Sequence, residues 1–520
     1  MHVTDRVASV PANDTRRTAP TPTHVALDAV DRYAPALLAA LVVAWIALFT
    51  LISMYWRDNL RWGFDVVDYS QPMWNTMHGR IWEVSLYDWT ATELGHDLVP
   101  LELILAPLYQ FLGGTMALIV IQCTTAALGG IGAYVVTRMA LPARHRGIGL
   151  LATALYLSLA FLQRTTVADF QARSIIMWTF FFAWYGYRTR RPWLVWTMLC
   201  LALLSRSDVG LVVAAFGIYS LLERRRWRYS WLPIAVGATW FVLVVYVIVP
   251  HFSKTGFIYE DNYGWLGGGV SGIVKSVLTR PWYVMQGVVT GDKLRYTFDL
   301  LFPFAFLPLL KPRILLIPLP IYLLNVLSNY DGQYKLIHHY NALIVPFLMI
   351  AAIEAIADVA ERRGLAGALT TALLSRVRMW RPTGGIVAAT LCALMLLCSF
   401  VQNQTVTSPA QSYLLHHDPS ARAQAGRQLV RMVPRDAPLA VTTRLGGVTP
   451  MRQHLYMFPG DPRYHNPALV DRADYIMGDT QRTPMETAAI ERYRTDPAWE
   501  VVDERGGFIL MRKRQPGGGA

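Results

Sequence analysis

The sequence predicts a mainly α-helical polytopic membrane protein with a small α/β domain at its C-terminal end. Three observations carry that prediction. The 520-residue chain is 53% hydrophobic and only 16% charged, well short of the quarter of charged residues found in soluble domains. Apolar runs recur from Pro35 to Val401, several of them close to the ~20 residues that cross a bilayer. Beyond Gln402 the composition becomes polar and rich in Pro and Arg, with short β-like runs.

Residues 1–34 are polar and lack the apolar core and small-residue cleavage site of a signal peptide. They are expected to form a disordered cytoplasmic tail. Pro35 to Trp56 is the first span. Orientation follows from the basic loops, which the positive-inside rule assigns to the cytoplasm: Arg138–Arg146, Arg188–Arg191, Glu223–Arg228, Lys311–Arg313 and Arg362–Arg381. With these on one side, Thr115–Val136 returns inward. Ile148–Leu162 then pairs with Ile175–Tyr187, Leu194–Leu204 with Val209–Leu222, and Ile314–Leu327 with Leu343–Ala357. Trp231–Val249 exits, Phe298–Leu310 re-enters and Ile386–Val401 exits last.

The expectation is about eleven transmembrane helices with the N-terminus inside and the C-terminal domain outside. Residues 35–402 form the membrane module, with outer loops at 57–98 and 251–295, and residues 403–515 form the extracytoplasmic domain. Val99–Leu112 is apolar but short and contains Glu102 and two prolines, so it reads as an interfacial or re-entrant helix.

The net charge of +13 arises largely from arginines in short inter-span loops, which excludes a nucleic-acid footprint. Cys123, Cys200, Cys392 and Cys398 all lie in apolar runs, without metal-ligand spacing, and read as small buried residues. This topology collects the exceptional polar residues on the outer side. They are Asp65, Asp68, His96, Asp97, Asp169, Arg173, Arg206, Asp208, Glu260, Asp261, Lys335, His338 and His339. The aromatic stretch Phe257–Gly269 suits a sugar-stacking surface or, preferably, an interfacial belt.

In the tail, Pro438–Thr443 and Asp474–Gly478 read as strands, Trp499–Met511 as a hairpin turning at Gly506-Gly507, and Ser420–Val433 as a helix.

The loop after the first span, Gly63–Gly79, is acidic and aromatic. Asp65 and Asp68 are three apart and would share a face on a helical turn. Phe64-Asp65, Gln71, Trp74-Asn75-Thr76 and His78-Gly79 begin a series of motifs. It continues with Leu105–Tyr109, Ala168-Asp169-Phe170, Ser207–Leu211, His338-His339-Tyr340 with Ile344–Phe347, and Leu455–Pro459. In order and spacing these resemble a prokaryotic family of predicted membrane proteins related to the GT-C glycosyltransferases.

The resemblance implies a GT-C-like module that takes a sugar from a polyprenyl-phosphate donor on the outer face and passes it to an envelope acceptor. It implies Asp65 as base or metal ligand, with membrane lipid as partner. Arg206, Lys335, His338, His339 and Arg173 are then candidates to bind the phosphate and offset its charge. Asp68, His96, Asp97, Asp169 and Asp208 are candidates for support or for a divalent cation, Mg or Mn.

The chain departs from the family pattern. Ser70 stands where a second acid is expected, Gln171-Ala-Arg173 replaces His-Pro-Glu, and Ser207 replaces an acid. Loss of those acids puts a metal site in question. Two other function classes stay open: a non-catalytic envelope protein and a transporter. A transporter predicts internal repeats and mid-span charges, and neither is visible in the sequence.

Overall fold

The computed structural model describes residues 22–142, 147–336, 338–363, 383–405, 413, 418–460 and 466–514. The first helix, α1, runs from Pro22 to Asp58, so residues 22–34, expected in the tail, are helical. The remainder of the expected tail and most of the last basic loop lie outside the described residues. A short helix α2 (Asp65–Met77) follows, then α3 (Leu101–Phe111) and the long α4 (Thr115–Ala140). Next come α5 (Gly149–Ser158), α6 (Ala160–Val167), α7 (Ala172–Ile175), α8 (Met177–Arg188), α9 (Pro192–Leu203) and α10 (Val209–Leu222).

Among the described residues, four helices can cross a membrane by length and composition: Arg32–Asp58, Thr115–Ala140, Trp227–Phe252 and Gly384–Asn403. The pair α5 and α6, bent by 55°, makes a fifth if it is one span. The other expected spans are shorter or broken. At 1.5 Å per residue α9 and α10 reach only about 18 and 21 Å, less than a ~30 Å hydrocarbon core.

The expected span Phe298–Leu310 is not one helix. A helix Gly291–Leu301 gives way to 3-10 turns at Phe302–Phe304 and Leu307–Leu310. Ala305 and Phe306 between them are left-handed, with φ of 48° and 59°. Pro303 and Pro308 cannot donate the hydrogen bonds that would continue the helix. At the centre of the module, the helix Val345–Ala360 is buried on nearly every side and packs on α4, α8 and the last membrane helix. Its all-round apolar character is that of a core helix.

Small residues set the closest packing. Helices α10 and Trp231–Leu243 cross at Gly210 and Gly237, where a Cβ on Gly237 would lie 2.3 Å from the Gly210 carbonyl oxygen. This contact anchors the segment Ser205–Asp208 at the head of α10. α3 is too short to cross a bilayer; it buries Leu101, Leu105 and Tyr109 and exposes Ile104, Leu108 and Phe111. Three of the basic loops meet at one end of the module. Arg188 pairs with Glu354 at 3.5 Å, Lys311 with Asp358 at 2.6 Å and Arg313 with Glu223 at 3.7 Å.

The C-terminal domain is a five-stranded sheet of order β2-β1-β3-β5-β4. Its strands are β1 (Leu439–Thr442), β2 (Leu455–Phe458), β3 (Tyr475–Asp479), β4 (Trp499–Arg505) and β5 (Phe508–Lys513). β1 is parallel to β2 and β3, and β5 is antiparallel to β3 and β4. The hairpin turns at Gly506 and Gly507, with φ of 60° and 79°, as two successive left-handed residues require. The helix Ala421–Met432 is capped by Ser420, whose Oγ accepts from the Ala423 amide at 3.2 Å. The strand β2 lies in a segment read only as a motif.

This domain is packed onto α2. Gln71 donates to the Gln453 carbonyl at 2.9 Å, and Ser85 Oγ donates to the Leu455 carbonyl at 3.0 Å. A Cβ on Gly447 would sit 2.8 Å from the Trp62 ring, so only glycine fits there without a shift.

Candidate functional site

The site is built around the first turn of α2. The chain enters it through Trp62, whose indole donates to the Val167 carbonyl at 2.8 Å, and Gly63, whose amide donates to Asp169 Oδ1 at 2.7 Å. Asp169 thus serves the start of α2 as a capping acceptor from a distant loop. Burial and the neighbouring Asp65 push its carboxyl well above the usual range, against backbone amide bonds that lower it. Asp169 is a structural clasp and does not line the cavity described below.

Asp65 is the first residue of α2, where the helix dipole favours a carboxylate. Gln171 Nε2 donates to its Oδ2 at 2.7 Å. Gln171 is itself held: Tyr69 donates to its Oε1 at 3.2 Å, and its amide donates to Gln122 Oε1 of α4 at 3.1 Å. Gln171 therefore orients the Asp65 carboxylate.

Asp65 opens into a cavity of about 280 Å³. The same cavity is lined by Asp68, His96, Asp97, Arg206, His338 and His339, together with Glu93, Gln171 and the tyrosines 69, 87, 259, 330 and 340. Residues spread over 275 positions of sequence, from Asp65 to Tyr340, therefore converge on one space. Met457 of β2 closes part of the wall, so the C-terminal domain contributes to the site.

A buried network fixes the floor. Arg206 Nε pairs with Asp97 Oδ2 at 2.9 Å, with the two side chains 9% and 1% exposed. Asp97 also accepts from the Leu98 amide at 2.8 Å and from Ser207 Oγ at 3.1 Å. Ser207 thus serves Asp97. The Arg206 guanidinium lies 4.9 Å from the Tyr259 ring centre. Tyr259 Oη is 2.8 Å from His96 Nε2, and His96 Nδ1 is 2.9 Å from Glu93 Oε1. Burial, reinforced by Asp68 and Asp97, pushes the Glu93 carboxyl well above its usual range. Burial also lowers His96, opposed by Asp68 and assisted by Arg206.

The other arginine candidate, Arg173, pairs with Asp208 at 2.6 Å and packs over the Tyr340 ring at 5.4 Å. It lines a second, apolar groove with Phe241, Val245, Tyr246, Val270 and Ile273. That groove and the Asp65 cavity share Arg206, Tyr259 and Tyr340 as a common wall. Tyr246 and Val270 are 46% and 42% exposed on the groove's outer side.

His338 and His339 reach the cavity, and His339 packs against Tyr340 with ring centres 4.3 Å apart and the rings tilted by 32°. Burial, then the charges of Arg173 and Arg206, hold His339 well below the usual imidazole range, so it is neutral near pH 7. Lys335 departs from the expectation. It is half exposed, pairs with Asp331 one turn away and does not line the cavity.

Among the described residues no three His, Cys, Asp or Glu side chains are grouped to hold a metal ion, and Asp97 and Asp208 are committed to arginines.

Sequence reasoning missed Glu93, Gln171, Tyr87 and Tyr259. The Phe257–Gly269 stretch suits an interfacial belt preferably, or a sugar-stacking surface; Tyr259 lines the cavity and Tyr263 is 8% exposed.

A family model described as "Predicted membrane protein (DUF2079)" matches residues 58–510. Among curated proteins none matches. Two solved structures are similar in overall path. ArnT from Cupriavidus metallidurans bound to undecaprenyl phosphate shares 14% identity at a TM-score of 0.47, over 91% of this chain and 97% of that one. The apo oligosaccharyltransferase of Archaeoglobus fulgidus shares 13% identity at a TM-score of 0.45, over 85% and 70%.

Proposed function

The chain belongs to the DUF2079 family of predicted membrane proteins, and from that premise we propose that it is a membrane glycosyltransferase. It transfers a sugar from a polyprenyl-phosphate donor to a hydroxyl of an envelope acceptor on the outer face of the cell membrane. In this reading the end bearing the Asp65 cavity and the C-terminal domain is extracytoplasmic, and the end bearing the basic loops is cytoplasmic.

One observation carries the proposal: the Asp65 cavity shares the wall Arg206–Tyr259–Tyr340 with an apolar groove that reaches exposed residues of a membrane helix. A prenyl chain would lie in the groove while its phosphate meets Arg206 and Arg173 at the junction. The sugar then projects toward Asp65.

The step is a displacement at the anomeric carbon. The acceptor hydroxyl oxygen forms the new bond to that carbon as the bond to the phosphate oxygen breaks. The hydroxyl proton passes to the Asp65 carboxylate, which Gln171 orients. Negative charge that develops on the departing polyprenyl phosphate is met by the guanidinium of Arg206 and by the neutral N–H of His339. Asp97 and Asp208 hold the two arginines in place rather than acting on the substrate.

The test is sugar transfer by membranes enriched in this chain. With a labelled polyprenyl-phosphate sugar, label should move to a membrane or envelope acceptor above the level of membranes lacking the chain. Equal labelling in both, across the common bacterial donors, overturns the proposal.

A further inference from the structure

On the other side of α2 from the Asp65 cavity lies a much larger cleft, of about 1210 Å³. It is bounded by the end of α1, the α3–α4 turn and the helix Ala421–Met432 of the C-terminal domain. Five arginines line it (Arg57, Arg80, Arg427, Arg431 and Arg435) against two acids, Asp58 and Asp436. Asp58 is engaged by Arg57 at 2.9 Å and by Arg427 at 3.5 Å. Arg431 and Arg435 are exposed and have no ion-pair partner among the described residues. The cleft therefore carries uncompensated positive charge.

Its rim is apolar. Leu108, Phe111 and Leu112, beside the α3–α4 turn, are 41%, 77% and 61% exposed. On the domain side Met432 is 47% exposed. Trp74 stacks on His78 with centres 3.8 Å apart, and Arg80 lies 5.4 Å from the Trp74 ring. Apolar tips beside arginines and an aromatic side chain, next to the end of a membrane-crossing helix, are the arrangement of a protein surface at lipid headgroup depth. Arginine matches phosphate with a planar fork of donors.

We propose that this cleft binds the phosphate of an anionic phospholipid, whose acyl chains lie along the exposed face of α3. The bound headgroup bridges Arg57 of the membrane module to Arg431 and Arg435 of the C-terminal domain, and so ties that domain to the membrane surface. This site is separate from the sugar-transfer cavity and rests only on the membrane reading of the chain.

The full-length protein in neutral detergent is titrated with phosphatidylglycerol, phosphatidylcholine or glycerol 1-phosphate, and bound molecules are counted by native mass spectrometry. Phosphatidylglycerol should bind in preference to phosphatidylcholine. The Arg431→Gln/Arg435→Gln variant should bind it roughly 30-fold more weakly, given about a fivefold effect per cation. Both positions are exposed, so the variant should unfold at the wild-type temperature without lipid, and Arg431→Lys/Arg435→Lys should recover part of the binding. Equal binding of the two lipids, or full binding by the glutamine variant, overturns the proposal. So does binding of glycerol 1-phosphate as tight as that of the lipid, which would make the ligand a free phosphate.

Discussion

Gln171 donates to Asp65 across a 2.7 Å hydrogen bond, joining the loop after α6 to the first turn of α2. The carboxylate's direction is thus set by a residue 106 positions away, itself held by Tyr69 and Gln122. Gln171→Leu should lower kcat for sugar transfer by roughly 10- to 100-fold with little change in donor KM, because it disturbs orientation rather than binding. Gln171→His, which keeps a ring N–H donor, should recover part of the rate. A KM effect without a kcat effect would assign Gln171 to substrate binding instead.

The Arg206–Asp97 pair is nearly inaccessible, so removal of one partner leaves a buried charge. Arg206→Met should destabilise the protein by about 3–5 kcal/mol, read by thermal or denaturant unfolding in detergent. Arg206→Met/Asp97→Leu should recover most of that stability and none of the transfer activity. Recovery of activity by the double variant would remove Arg206 from the phosphate role.

His339 gives a pH signature. Its folded pKa lies well below the unfolded value of 6.5, so between the two the unfolded chain binds more protons. Stability from this group is complete above pH 6.5 and declines as pH falls through the window beneath it. Glu93 has the opposite sign. Its folded pKa lies well above 4.5, so its contribution is lost as pH rises above that value. Unfolding midpoints measured from pH 5 to 8 should fall less steeply on the acid side in His339→Gln. They should fall less on the alkaline side in Glu93→Gln. Unchanged slopes in both variants would contradict the buried, uncharged assignments.

Gly447 fixes how the C-terminal domain meets the membrane module. An added methyl would approach the Trp62 ring to 2.8 Å, and Trp62 is 3% exposed. Gly447→Ala should cost about 1–3 kcal/mol through overpacking. It should also lower transfer, since Met457 of the same domain lines the cavity. Full activity in a clearly destabilised Gly447→Ala would separate the domain from the site.

Much of this was readable in the residues. Hydropathy marked the membrane helices α1, α4 and Gly384–Asn403, and Gly506-Gly507 marked the hairpin. Loop charge grouped Asp65, Asp97, Arg206 and His338 in the sequence, and all four line one cavity. Helix continuity was not readable where prolines interrupt apolar runs, as at Pro303 and Pro308. Hydropathy scores such a run as it would a straight span. Lys335 was misplaced because a loop cation can face either way, and Asp331 four residues earlier turns it outward. Glu93 and Tyr259 were hidden because their roles come from contacts with His96, which for Tyr259 is 163 positions distant.

The most direct test of the central claim replaces Asp65 by Asn, which keeps size and removes the base. Purified wild-type protein and Asp65→Asn are given the same labelled polyprenyl-phosphate sugar and acceptor membranes. The account predicts loss of at least 100-fold in transfer rate with donor binding retained, in the range expected for removing a general base. Transfer by Asp65→Asn at the wild-type rate would contradict it.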